Sequence, residues 1–198
     1  MSPLIAPPVQ RTAPGLLTGQ GPAPARTAHP TARIGERTLR IALSTGVGSG
    51  PTALSAFDAA LCAAGVGEYN LVRLSSVMPP HSTLVRSGPE GQRTGRWGDR
   101  LFCVYASQLA ELPGEQAWAG IGWVVKQDGS GAGLFVEHEG PTESGVLGDI
   151  ASSLGDLVRR RGGDYSEPEL LVTSAVCVDQ PVCALVVAGY ETTGWDRC

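Results

Sequence analysis

Charge is scarce in this chain. Of 198 residues only 17% are Asp, Glu, Lys or Arg, and the formal net charge is −4. Outside Arg159-Arg160-Arg161 there is no run of cations, so a nucleic-acid backbone finds no basic track to bind. That triplet precedes Gly162-Gly163 and reads as cations at a helix C-terminus. Apolar runs of about 18 residues are also missing, which leaves no helix to span a membrane. The five cysteines, Cys62, Cys103, Cys177, Cys183 and Cys198, make no CxxC pair. Their odd number and scattered apolar settings point to reduced, buried thiols in a cytoplasmic protein. The three histidines, His29, His81 and His138, lie too far apart for a metal centre. His138 stands between Glu137 and Glu139, but strand alternation turns it to the opposite face. No GxSxG elbow surrounds Ser75 or Ser76, so a serine-hydrolase reading fails. A glycine-rich "STGVGSGPTAL" lies between a strand and a helix, yet it lacks GK[ST] and has Pro51 where a third glycine belongs. A tight turn explains it better than a phosphate site.

What the chain does have is apolar residues, at 42%, and 27 glycines. A domain near this size buries roughly 70% of the surface its unfolded chain exposes. Residues 1–35 stand apart. They hold seven of the fifteen prolines, no acidic residue and no helical period, the composition of a disordered tail. Residues 36–198 read as one domain. "LRIALSTG" is a strand, and "PTALSAFDAALCAAG" a helix with Pro51 near its start, Leu54, Phe57 and Leu61 on one face and Gly65 as its stop. "YNLVRLSS" is the second strand, and residues 81–100 form an exposed loop. "LFCVYASQLA", "AWAGIGWVVK" and "GLFVEHEG" follow as strands joined by turns. "TESGVLGDIASSLGDLVRRRGG" is amphipathic, with Val146, Ile150, Leu154, Leu157 and Val158 in one stripe. "LLVTSAVCVD" and "VCALVVAGYE" close the chain as a hairpin around Gln180-Pro181. Two helices and about seven strands joined by short turns define an α+β class, antiparallel sheet covered by helices.

The unusual stretch is "NLVRLSSVMPPHSTL", in which Ser75 and Ser76 stand between an apolar strand and Pro79-Pro80. A serine hydroxyl can attack the carbonyl of the preceding residue and carry the acyl group from nitrogen to oxygen. The ester can then break by β-elimination to leave dehydroalanine, which hydrolyses to a pyruvoyl group and ammonia. Such chemistry requires a strained or well-positioned peptide held immobile and a donor for the developing oxyanion. The strand and the prolines supply immobility, and Asn70 offers a side-chain amide. A strand end followed by a proline turn accounts for the same residues without chemistry.

The run "YNLVRLSSVMPP", preceded by "LSAFDAALCAAGVG" and followed by "LPGE" and "GLFVEHEG", resembles the pyruvoyl-dependent arginine decarboxylases over most of residues 43–191. The resemblance implies a four-layer αββα sandwich, two antiparallel sheets flanked by helices. It implies a cut between Ser75 and Ser76 that yields a β chain of residues 1–75 and an α chain of residues 76–198. Ser76 would become the covalent pyruvoyl cofactor, which forms a Schiff base with the substrate amine, and Ser75 would end the β chain beside it. Asn70 would orient the carbonyl during the cut, and Glu137 would protonate the α-carbon after CO2 leaves. Asp58 would receive the substrate guanidinium across a subunit boundary, with Leu54, Leu61, Gly67 and Tyr69 lining the same pocket. The assembly implied is a homotrimer of cleaved units, or a dimer of trimers, and the reaction is L-arginine to agmatine and CO2. Two alternatives stay open: the same chemistry on another amino acid, and an uncut structural or regulatory subunit.

Overall fold

Nine strands and two helices make up the described residues of this chain, which a computed structural model covers over 38–86 and 95–195. The proline-rich leader, Arg93 and Cys198 lie outside them. In chain order the elements are β1 (Leu39–Ser49), α1 (Ala53–Ala63), β2 (Asn70–Arg73), β3 (Val77–Met78), β4 (Ser82–Arg86), β5 (Arg100–Ala110), β6 (Gln116–Val125), β7 (Gly133–Gly140), α2 (Glu143–Arg161), β8 (Glu169–Val176) and β9 (Val182–Thr193). One sheet has the order β2-β5-β9-β1-β4 and the other β3-β7-β6-β8.

The two sheets stack face to face, and each carries one helix on its outer side. Ile41, Val104, Ala106, Ile121, Phe135, Val186 and Ala188 fill the space between the sheets. Alternate residues of the same strands face outward, so Cys103, Cys183, Leu185 and Val187 meet Ala56 and Ala60 of α1. On the far side Val146, Ile150 and Leu154 of α2 cover Val124, Leu134 and Val136. Each of those α2 side chains is fully buried, a contribution of roughly 1.5–3 kcal/mol apiece for residues of this size. Thr142 caps α2 through its side chain on Gly145 N, and Arg159, Arg160 and Arg161 fill its last turn, where cations complement the helix dipole. This is the expected αββα sandwich, and among the described residues no helix is long and apolar enough to cross a membrane.

Several details depart from the sequence reading. β1 continues through Gly46 and Gly48 to Ser49, so the glycine-rich segment is strand rather than turn. A Cβ at Gly46 would collide with the Ala60 carbonyl, and one at Gly48 with the backbone of Ala56 and Ala60. The glycines let α1 lie directly on the sheet. For the same reason the buried face of α1 is its alanine row, Ala56 and Ala60, while Leu54 is 76% exposed. Residues 82–86, expected as loop, form β4, which pairs in parallel with β1. The β2–β5 pair is parallel as well, so only the second sheet is wholly antiparallel. The last two strands are not a hairpin. β9 is buried from Val182 to Tyr190 and runs through the middle of the first sheet between β5 and β1, whereas β8 is an edge strand of the second. A strand buried on both faces needs a neighbour on each side, which an end-of-chain hairpin does not give it. Among the cysteines, Cys103, Cys177 and Cys183 are buried, but Cys62 is exposed.

Candidate functional site

The serine pair is the point at which the chain changes sheets. β2 ends its ladder with β5 at Leu74, whose N–H donates to the Cys103 carbonyl over 2.9 Å. Two residues later the chain is in the other sheet: Phe135 N donates to the Ser76 carbonyl at 2.8 Å, and Val77 and Met78 pair with Leu134 and Gly133. Between those anchors lies the Ser75–Ser76 bond. Ser76 makes the turn at φ 66°, in the left-handed region that costs a non-glycine residue about 1–3 kcal/mol. Pro79 follows, and its carbonyl accepts a hydrogen bond from Ser82 Oγ at 2.7 Å.

Opposite the turn stands Glu137. β7 points its odd-numbered side chains toward the first sheet, so Glu137 shares a face with Phe135, while His138 turns to α2 and pairs with Ser153 Oγ at 2.8 Å. Ser76 Oγ donates to Glu137 Oε2 at 2.8 Å. Glu137 Oε1 is buried with no hydrogen-bond partner among the described residues. Burial therefore raises the Glu137 carboxyl above its ordinary range, against the smaller opposing effects of the Ser76 hydroxyl and the nearby Arg73 charge. Arg73 itself donates to the Tyr105 carbonyl at 2.8 Å and lies over the Tyr105 ring. Glu139, which shares the Glu137 face by alternation, is exposed. A cleft of about 380 Å³ opens here, lined by Ser75, Ser76 and Glu137 on one side and by Ser153, Leu157 and Arg161 of α2 on the other.

The remaining expected site residues form a second locus. Asp58 is exposed on α1, with Leu54 four residues before it and the partly buried Leu61 three after. Gly67 and Tyr69 lie in the connection from α1 to β2, and Tyr69 packs against α1's cluster. Asn70 opens β2, where its side-chain amide donates to the Gly98 carbonyl at 2.6 Å. From there to Ser75 is about 16 Å of extended strand. α1 covers the outer side of the first sheet, whereas Ser76 and Glu137 meet on its inner side. Within one chain the structure thus joins Ser75, Ser76 and Glu137 and leaves Asp58, Leu54, Leu61, Gly67, Tyr69 and Asn70 apart from them. Sequence reasoning missed the α2 wall and Tyr190, whose hydroxyl donates to the Val77 carbonyl at 3.3 Å. The parity of β9 was the available signal for Tyr190, since it falls in phase with the inward-facing Val186 and Ala188.

A family model for pyruvoyl-dependent arginine decarboxylases matches residues 40–192. The chain belongs to that family. It is 38% identical over 116 residues to a pyruvoyl-dependent arginine decarboxylase of Thermoplasma volcanium, and 36% over 100 residues to one of Methanocaldococcus jannaschii. These alignments span 58% and 50% of this chain, but only 63% and 58% of those relatives' own length. One from Halobacterium salinarum is 35% identical over 156 residues, 76% of this chain and 93% of the relative. Among solved structures, a pyruvoyl-dependent histidine decarboxylase matches with a TM-score of 0.38 and 17% identity over 52% of this chain and 58% of its own. The family depends on a covalently bound pyruvoyl group, and the residues present fit one: a serine at a strained turn, a buried carboxylate oxygen without a partner beside it, and a cleft in front of both.

Proposed function

We propose that the chain is a self-processing pyruvoyl-dependent decarboxylase that converts L-arginine to agmatine and CO2. The observation that carries this reading is the 2.8 Å contact between Ser76 Oγ and the half-buried Glu137, at the residue whose φ of 66° strains the chain. In processing, the Ser76 oxygen attacks the Ser75 carbonyl carbon, and the hydroxyl proton ends on the departing amide nitrogen. The Ser75–Ser76 C–N bond breaks and an ester forms. Loss of the Cα proton of residue 76 expels the Ser75 carboxylate and leaves dehydroalanine. Its enamine tautomerises, takes up water and releases ammonia, so residue 76 becomes a pyruvoyl group. Relief of the left-handed turn favours the first step.

When formed, the pyruvoyl group supplies an electron sink for loss of the substrate carboxylate. Glu137 then holds the proton that the substrate α-carbon requires, and its burial keeps that proton in place at higher pH than an exposed carboxylate would. Asp58 receives the guanidinium. A desolvated carboxylate selects arginine because an analogue without the planar fork leaves it unpaired. Since Asp58 and Ser76 lie on opposite sides of one sheet, the working site combines Asp58, Leu54, Leu61, Gly67, Tyr69 and Asn70 of one copy with Ser75, Ser76 and Glu137 of a neighbour. The exposed Leu54 supports a covered α1 face of this kind, and a homotrimer supplies it cyclically. The arrangement within that reading is a domain of residues 36–198 cut between Ser75 and Ser76, behind a leader of residues 1–35.

Two substitutions test it. Ser76→Ala should leave the chain uncut and inactive, because no side-chain oxygen remains to attack; normal processing would sink the mechanism. Glu137→Gln should still be cut but lose about 10²–10⁴-fold in turnover, the usual worth of a positioned acid. Full activity in that variant would assign the proton to another group.

A further inference from the structure

Cutting the Ser75–Ser76 bond creates a difficulty that the uncut chain does not have. Residue 76 becomes the first residue of a separate chain, and its carbonyl must stay against Glu137 without the covalent tether to β2. What remains to hold it is short. β3 has two residues paired with β7, and Phe135 N donates to the Ser76 carbonyl. The only side chain found on this segment's backbone carbonyls at residues 76–78, among the described hydrogen bonds, is Tyr190, whose hydroxyl donates to the Val77 carbonyl.

Tyr190 is built into this position by the strand that carries it. β9 and β5 pair in steady register from Val182 to Gly189, and then Cys103 opposes Gly189 while Phe102 opposes Glu191. Tyr190 is thus the extra residue of a β-bulge, a device that re-aims a side chain beside a site. Its ring is 9% exposed and meets Phe135 edge to face at 6.2 Å, the residue whose N–H holds the Ser76 carbonyl. The hydroxyl and the Phe135 amide grip consecutive carbonyls, at residues 77 and 76, through one packed pair of rings. Burial and the neighbouring Glu137 hold the phenol protonated well above its ordinary range, so it stays a donor.

We propose that Tyr190 is a positioning residue that holds the new chain end, and with it the reactive carbonyl of residue 76, against Glu137 after the cut. The role rests on the self-processing reading. It acts through the Val77 backbone and makes no claim that Tyr190 touches substrate.

The test compares Tyr190→Phe, which keeps the ring and removes only the hydroxyl, in two backgrounds: the self-cut protein and the uncut Ser76→Ala chain. Hydrogen exchange is followed by mass spectrometry at the Val77 and Met78 amides, the two that remain between the pyruvoyl end and Pro79-Pro80, and, as a control, over β9. In the cut protein the substitution should speed exchange at Val77 and Met78 by about five- to tenfold, the worth of one hydrogen bond, with β9 unchanged. In the uncut background, where Ser75 still tethers the segment, the change should be much smaller. With arginine, kcat should fall by a similar factor while KM stays within about twofold, because binding is untouched and only the carbonyl is misplaced. Equal exchange in Tyr190→Phe and its parent, or the same increase in both backgrounds, overturns the positioning role and leaves the self-processing reading standing. A wild-type chain that is never cut overturns both.

Discussion

At the scale of single residues, the site depends on what burial does to Glu137. Its carboxyl is pushed up mainly by desolvation, with the Ser76 hydroxyl and the Arg73 charge pulling the other way. A raised native pKa means that the folded chain keeps a proton that the unfolded chain has already released. The stability this group contributes is therefore fully present below the ordinary carboxylate value and is lost as pH rises through the raised one. Glu137→Gln cannot ionise and escapes that loss. Compared in the uncut Ser76→Ala background, the Gln variant should gain stability relative to its parent as pH rises from the ordinary carboxylate value through the raised one, as measured by chemical denaturation. A difference that stays flat across that range would mean that Glu137 is not desolvated. Turnover should decline as pH rises through the raised value, since in the proposed mechanism the proton then leaves the group that delivers it.

At the scale of elements, the chain's glycines and small residues set how closely its layers approach. Gly48→Ala would drive a methyl into the backbone of Ala56 and Ala60, and a small-to-large change at such a contact costs about 1–3 kcal/mol. Urea denaturation should find that loss, and an unchanged midpoint would contradict the packing. The strands at β1, β2, β5, β6, β7, β8 and β9 and both helices were legible, because each carries a clear period or apolar run. Pairing was not. "VCALVVAGY" reads as a buried strand, but nothing local says that it lies between β5 and β1 rather than beside β8. β4 was lost among the arginines and serines around it, since a short edge strand has little apolar signal. The serine pair was legible as a rigid place in the chain, and its cause was not: the turn at Ser76 is rigid because two sheets claim the residues on either side of it.

At the scale of the whole molecule, the two loci on opposite sides of the first sheet support the proposed site shared between copies. In the proposed reaction Asp58 and Glu137 serve one substrate from different copies. Asp58→Ala and Glu137→Gln should each be inactive alone. Co-expressed, they should recover roughly a quarter of wild-type activity, because random assembly pairs an intact Asp58 with an intact Glu137 at that frequency. Mixtures that stay as inactive as either parent would place both residues in one subunit's site or remove one of them from it. The family resemblance suggests this division, and the positions of α1 and β7 on opposite sides of the first sheet support it.

The most direct test of the account is the intact mass of the purified protein under denaturing conditions. Two fragments are expected, ending at Ser75 and beginning at residue 76, with the second lacking a free amine because a pyruvoyl group stands there. A single full-length chain that persists after prolonged incubation would contradict the account at its centre, for then the strained bond at Ser76 would be structure without chemistry.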